Sequence, residues 1–232
     1  MRRLLAFILL MAAAAGVAFL LLRTVARTEV TDVFTAPAPV REVVIETGSG
    51  GVAVDAGPDD ALTARITRGY AFFAPEVTTT YADGRVVLDT DCPVLGVLTG
   101  CSVDFDVIAP ASARVSATST AGAVLVSGIA GSTRASSTAG AVTVLRARAR
   151  DIRASSTAGD VRVESDAAPA RVEATTTATA GSVTVVVPGG PYRVDASAGA
   201  GSVALEGISD TPSATSLIIA DATAGDVTIR AR

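Results

Sequence analysis

Four aspartates flank the only two cysteines of the chain, as D-T-D-C ending at Cys92 and C-S-V-D-F-D starting at Cys101. Both flanks alternate with the two-residue period of strands. Read as an antiparallel hairpin closed by a Cys92–Cys101 disulfide, they place Leu88 opposite Phe105. Val86 and Val107 then share the face of the sulfurs, and Asp89, Asp91, Asp104 and Asp106 share the other face. Four carboxylates together could hold a hard cation such as Ca²⁺, which takes oxygen ligands. Like charges directly across a hairpin are mildly unfavourable, which speaks for a cation. A solvated strand face is the plainer expectation, so no metal and no cofactor are assigned. The same search for acids yields Asp89, Asp104, Glu164 and Asp166 as candidates for polysaccharide chemistry, which needs two convergent carboxylates. None forms a compelling pair along the chain.

Two residue types central to catalysis are absent. The sequence has no histidine, which excludes a Ser-His-Asp triad, a Cys-His pair and a histidine-ligated metal. It has no lysine, which excludes Schiff-base chemistry. A net charge of -4 without a basic patch gives no footprint for nucleic acid. The expectation is a protein that is not an enzyme. Between the cysteines, P-V-L-G-V-L-T-G is apolar for a loop. Val94, Leu95, Val97 and Leu98 are expected either to fold back on the body or to touch a membrane or partner.

The elements that must position these groups are legible as repeats. The chain aligns on Gly122, Gly140, Gly159, Gly181, Gly201 and Gly225, at spacings of 18, 19, 22, 20 and 24. Alanine precedes each glycine, and valine stands two positions after it in every case. Apolar or small residues recur seven and five positions before it, as in Val115/Ala117 and Ile152/Ala154; the Gly181 repeat fits after a two-residue insertion. Each repeat therefore predicts two short strands joined at a corner. Inward positions fall at odd offsets before the glycine and even offsets after it. Glycine suits such a corner because it permits a positive φ and close backbone approach. A period of this length indicates stacked coils, so the expected fold class is all-β, a β-solenoid with a thin interior. An antiparallel meander or sandwich is the alternative. Asp160 and Asp226, which follow their glycines, are expected to face solvent.

Four segments follow. Residues 1–23 carry M-R-R and an uncharged run from Leu4 to Leu22, a helix of about 28 Å that matches a bilayer core. It predicts an uncleaved signal anchor, with a cleaved signal peptide as the alternative. Residues 24–40, with Pro37 and Pro39, are expected to form an extended stalk. Residues 41–110 hold weaker coils and the hairpin, together with Tyr70, Phe72, Phe73, Tyr81 and Phe105, expected as a bulky cap or as an aromatic binding surface. Residues 111–232 hold the clean repeats. The C-terminal G-D-V-T-I-R-A-R is expected to leave an open sheet edge, blunted by Arg230 and Arg232.

The recurring S/T-A-G-x-V-x-V, the anchor and the cysteine pair resemble the DUF4097 group of bacterial proteins over roughly residues 41–232. The resemblance implies a β-solenoid-like extracytoplasmic domain, often labelled an adhesin, with no catalytic residues to carry over. Two functions are expected. The first is a non-enzymatic surface-binding module tethered to the cell membrane, with an envelope component as partner. The alternative is an accessory or sensor of envelope stress that acts through a membrane protein.

Overall fold

Each Ala-Gly corner joins a strand of one sheet to a strand of another. The computed structural model, which describes Gly16 and residues 28–93, 100–177 and 179–232, contains 20 strands in two ten-stranded sheets. The apolar run of residues 4–22, apart from Gly16, and the loop residues Val94, Leu95, Val97 and Leu98 lie outside the described residues. Among the described residues no helix is long and apolar enough to cross a membrane.

The upstream halves of the repeats form β8 (Arg114–Ala121), β10 (Thr133–Ala139), β12 (Asp151–Ala158) and β14 (Arg171–Thr176), paired in parallel in one sheet. The downstream halves form β9 (Val124–Ser127), β11 (Val142–Ala147), β13 (Val161–Ser165) and β15 (Val183–Val187), paired in parallel in the other. Equivalent residues stack in register: Val115, Thr133, Ile152 and Val172 in the first sheet, Val124, Val142, Val161 and Val183 in the second. All eight are buried between the sheets, as the offsets from the glycines predict.

The corner is a steric device. A Cβ on Gly140 would lie 2.2 Å from the carbonyl oxygen of Gly122, and a Cβ on Gly122 would lie 2.0 Å from that of Gly50. Gly159, Gly201 and Gly225 meet the glycine carbonyl of their neighbouring coil in the same way. Close approach is therefore the common requirement; of these, only Gly159 and Gly225 have a positive φ. The serine three positions before the glycine completes the contact. Buried hydroxyls of Ser119, Ser137 and Ser156 donate to the carbonyls of Gly50, Gly122 and Gly140 at 2.9, 2.8 and 2.8 Å. Thr176 repeats this toward Gly159 at 2.9 Å. The S-T-A-G motif thus couples a hydroxyl and a missing side chain to the same carbonyl.

Two earlier coils continue the stack. One is β2 (Glu42–Ser49) with β3 (Val52–Gly57); the other is β6 (Arg85–Asp91) with β7 (Ser102–Pro110). In each sheet the β2/β3 coil lies between β6/β7 and β8/β9. Antiparallel strands close this end: β1 (Thr28–Ala36) and β4 (Leu62–Tyr70) beyond β7, and β5 (Glu76–Ala82) beyond β6. Residues 28–36, expected in a stalk, are therefore strand β1, paired with β4 from Thr28–Tyr70 to Ala36–Leu62.

The hairpin is corrected. Cys92 and Cys101 are joined by a disulfide, but β6 and β7 belong to different sheets. The bridge takes the place of an Ala-Gly corner and ties the two sheets together. Leu88 and Phe105 both point into the core, one from each sheet.

The far end is corrected too. The last repeat, β19 (Leu217–Ala222) and β20 (Val227–Ala231), does not end the stack. It inserts between β14/β15 and the preceding repeat, β16 (Pro191–Ala198) and β17 (Val203–Glu206). A two-residue strand, β18 (Ser209–Asp210), covers only Pro191 and Tyr192 of β16. The open edge is β17, not β20. Its inward residues Val203 and Leu205 are 44% and 42% exposed, whereas their counterparts in β20, Val227 and Ile229, are fully buried.

Candidate binding surfaces

Strand alternation puts the four candidate aspartates outside, but on opposite faces of the molecule. Asp89 and Asp91 end β6 on one sheet; Asp104 and Asp106 lie in β7 on the other. They do not meet. Asp89 accepts the N–H of Thr90 at 2.8 Å, Asp104 accepts that of Gly51 at 2.6 Å, and Asp106 stands opposite Arg65 of β4. Among the described residues no three His, Cys, Asp or Glu side chains converge to hold a metal. The other two candidate acids are tied up by arginines: Glu164 by Arg162, whose Nε lies 2.8 Å away, and Asp166 by Arg232. Asp104 shares a shallow pocket only with Asp106, its neighbour on the same face of β7.

Asp160 and Asp226 are exposed, yet both are engaged. Each accepts a backbone N–H from the serine that follows the glycine of the next coil: Asp160 from Ser182 at 2.8 Å, Asp226 from Ser202 at 2.9 Å. The Ser202 hydroxyl donates to Asp226 as well, at 2.8 Å. The backbone N–H first, and the hydroxyl second, hold the Asp226 carboxyl below its ordinary value.

A wider concavity lies elsewhere, on the outer face of the sheet that contains β6, β2, β8, β10 and β12. It encloses about 500 Å³ and is lined by Arg85, Glu42, Glu46, Arg114, Arg134, Asp151 and Arg153 around a floor that includes Ser116 and Ser132. The charges are not equally matched. Arg85 lies 3.9 Å from Glu42, and Arg153 lies 3.5 Å from Asp151 and 3.7 Å from Glu173. These pairs are half-exposed and worth under about 1 kcal/mol each. Arg114 and Arg134 have no ion-pair partner among the described residues. Two guanidiniums over a hydroxyl floor can take carboxylate, phosphate or sulfate groups, which arginine grips through two parallel N–H donors. The sequence carried a signal for this groove: Arg114 stands eight residues before its glycine, and Arg134 and Arg153 stand six before theirs. Even offsets are outward ones. Following only the apolar inward positions leaves the signal unread.

Of the N-terminal aromatics, Phe105 is core and Tyr81 packs partly against it. Phe72 and Phe73, between β4 and β5, are 52% and 42% exposed.

No protein-family model matches the chain, and no curated protein matches it. Solved structures do. A putative adhesin from Bacteroides fragilis superposes with a TM-score of 0.53 at 16% identity, over 88% of this chain and 97% of that one. A putative cell adhesion protein from Clostridium sporogenes gives a TM-score of 0.48 at 12% identity, over 88% of this chain and all of the other. At such identity the first of these speaks for a shared fold.

Proposed function

We propose that the chain is a non-enzymatic, extracytoplasmic binding protein of the adhesin type and of the DUF4097 group. Its stacked sheets form a β-solenoid, and residues 4–22 tether it to the cell membrane. The observation that carries the binding role is the groove on the β6–β2–β8–β10–β12 face, with Arg114 and Arg134 free of ion-pair partners beside Ser116 and Ser132. Its chemistry suits an anionic, hydroxyl-rich envelope polymer. The disulfide supports an oxidising compartment. The name given to the Bacteroides fragilis neighbour agrees with a surface role.

The test is retention of oxidised residues 28–232, which include every described strand, on fractionated envelopes of the source cell. Retention on one fraction is expected, falling with salt and lost in an Arg114→Ala/Arg134→Ala variant. Retention unchanged in that variant would move the contact off this groove. Turnover of a polysaccharide, abolished by Asp89→Ala or Glu164→Ala, would overturn the non-enzymatic role.

A further inference from the structure

We infer that the corner of the molecule where β1 begins rests on the lipid bilayer, with Phe72 and Phe73 entering its interfacial layer. The inference rests on the membrane tether proposed above. Four observations converge on it.

The first is where the chain enters. Thr28 opens β1 and pairs with Tyr70, the last residue of β4. Residues 23–27 are all that separate Thr28 from the uncharged run that ends at Leu22. Five residues reach at most about 18 Å when fully extended. Thr28 is therefore held close to the bilayer surface, and so is the end of β4.

The second is what stands there. Phe72 and Phe73 stand two and three residues after Tyr70 in the link to β5, and they are the only large aromatic side chains among the strongly exposed hydrophobic residues described. Exposed aromatic rings in water are costly, and rings at the headgroup boundary are favoured because one side is apolar and the other wet. The third is the charge pattern. Y-A-F-F-A-P from Tyr70 to Pro75 has no ionisable side chain except the tyrosine, while Glu29, Arg68, Glu76 and Asp91 stand just beyond it and Arg27 precedes Thr28 in the chain. An uncharged tip with a charged rim can enter the interfacial layer while its rim stays hydrated.

The fourth is rigidity. The Cys92–Cys101 bridge closes the same end of the two sheets, since Cys92 follows Asp91, which pairs with Glu76, and Cys101 precedes Ser102, which pairs with Gly69. The link carrying the phenylalanines spans two sheets whose separation is fixed by that disulfide. The groove with Arg114 and Arg134 lies on an outer sheet face rather than at this tip, so docking on the bilayer leaves it open.

The chain has no tryptophan, so Phe72→Trp, Phe73→Trp and, at the far end of the stack, Leu205→Trp each install a single reporter. The full-length protein is reconstituted into phosphatidylcholine vesicles with and without dibrominated phosphatidylcholine, and flotation is measured on the same samples. The expected result is co-flotation, with blue-shifted emission that is lost to bromine quenching at positions 72 and 73 and retained at 205. Co-flotation with no more quenching at 72 and 73 than at 205 overturns the inference and leaves the tether standing. Protein that fails to float overturns the tether, and the inference with it.

Discussion

Replacing Gly140 by alanine tests the corner mechanism in the middle of the stack. The new Cβ would sit 2.2 Å from the Gly122 oxygen and 2.5 Å from its carbonyl carbon, both backbone atoms of the adjacent coil. An ordinary carbon–oxygen contact is about 3.3 Å or longer, so the coils must part by about 1 Å. Three hydrogen bonds stand at that contact: Gly122 N–H to Ala139 O at 3.0 Å, Val124 N–H to Ala141 O at 3.0 Å, and the Ser137 hydroxyl to Gly122 O at 2.8 Å. An extra 1 Å takes each beyond bonding range. At about 1 kcal/mol net per bond, and more for a buried hydroxyl left unpaired, the cost is roughly 3–5 kcal/mol. For a chain of this size that lowers Tm by on the order of 10 °C. Gly48→Ala is the control, since no heavy atom lies within 4 Å of its Cβ position. It is expected to change stability by under about 1 kcal/mol. Thermal unfolding followed by circular dichroism decides the matter. If the Gly140 and Gly48 variants melt together, close approach is not why glycine recurs.

Three further outcomes follow from the same contacts. Ser137→Ala should cost about 1–2 kcal/mol by denaturant unfolding, because the Gly122 carbonyl loses a buried donor; Ser137→Thr should be nearly neutral, since Thr176 fills the equivalent place. The Asp226 carboxyl, held low by Ser202, should titrate by NMR below an ordinary aspartate, and Ser202→Ala should raise it only part of the way because the N–H remains. Because this pKa is depressed on folding, its stabilising effect is present above the unfolded value and is lost as pH falls through the folded one; an ordinary Asp226 titration would refute the bond. Hydrogen exchange should be faster in β17 than in β20, although β20 is nearer the C-terminus, because only β20 has a strand on both sides; equal rates would argue against the insertion.

What the sequence carried well was the face each side chain takes. Alternation around Gly140 put Thr133, Ala135, Val142 and Val144 inside, and they are buried. It also placed Leu88 and Phe105 inside and the four aspartates outside. Alternation reports inside or outside, however, and not the strand that lies alongside. The flanks of the cysteines were therefore assigned to one hairpin when they belong to two sheets. The same limit hid the groove, whose arginines lie on outward positions of separate strands that only the parallel register brings together. Strand β1 escaped for another reason: T-E-V-T-D-V-F-T-A alternates weakly, and its partners in β4 lie from Leu62, opposite Ala36, to Tyr70, opposite Thr28, far along the chain.

The order of the coils is the deeper case. Valine and alanine ladders are nearly indifferent to sequence order, because Val172 and Ala174 of β14 could stack on Val194 and Ala196 as readily as on Ile218 and Ala220. Two things tip the balance toward insertion of the last repeat. One is burial: the inserted coil covers Ile218 and Ile229 completely and leaves Val203 and Leu205 at the open end. Fully burying an isoleucine is worth about 1.5–3 kcal/mol, and Ile218 is larger than its counterpart Val194, so the interior gains more from the last repeat. The other is the residue after the glycine. An aspartate there gains a hydrogen bond when a coil beyond it supplies an N–H, as Ser182 does for Asp160 and Ser202 does for Asp226. Stacked in chain order, Ser182 would face Ser202, and Asp226 would end the stack with no donor above it. Insertion restores the alternation Asp160, Ser182, Asp226, Ser202 along the corner, so a single carboxylate next to a glycine helps set which coil becomes the end of the molecule.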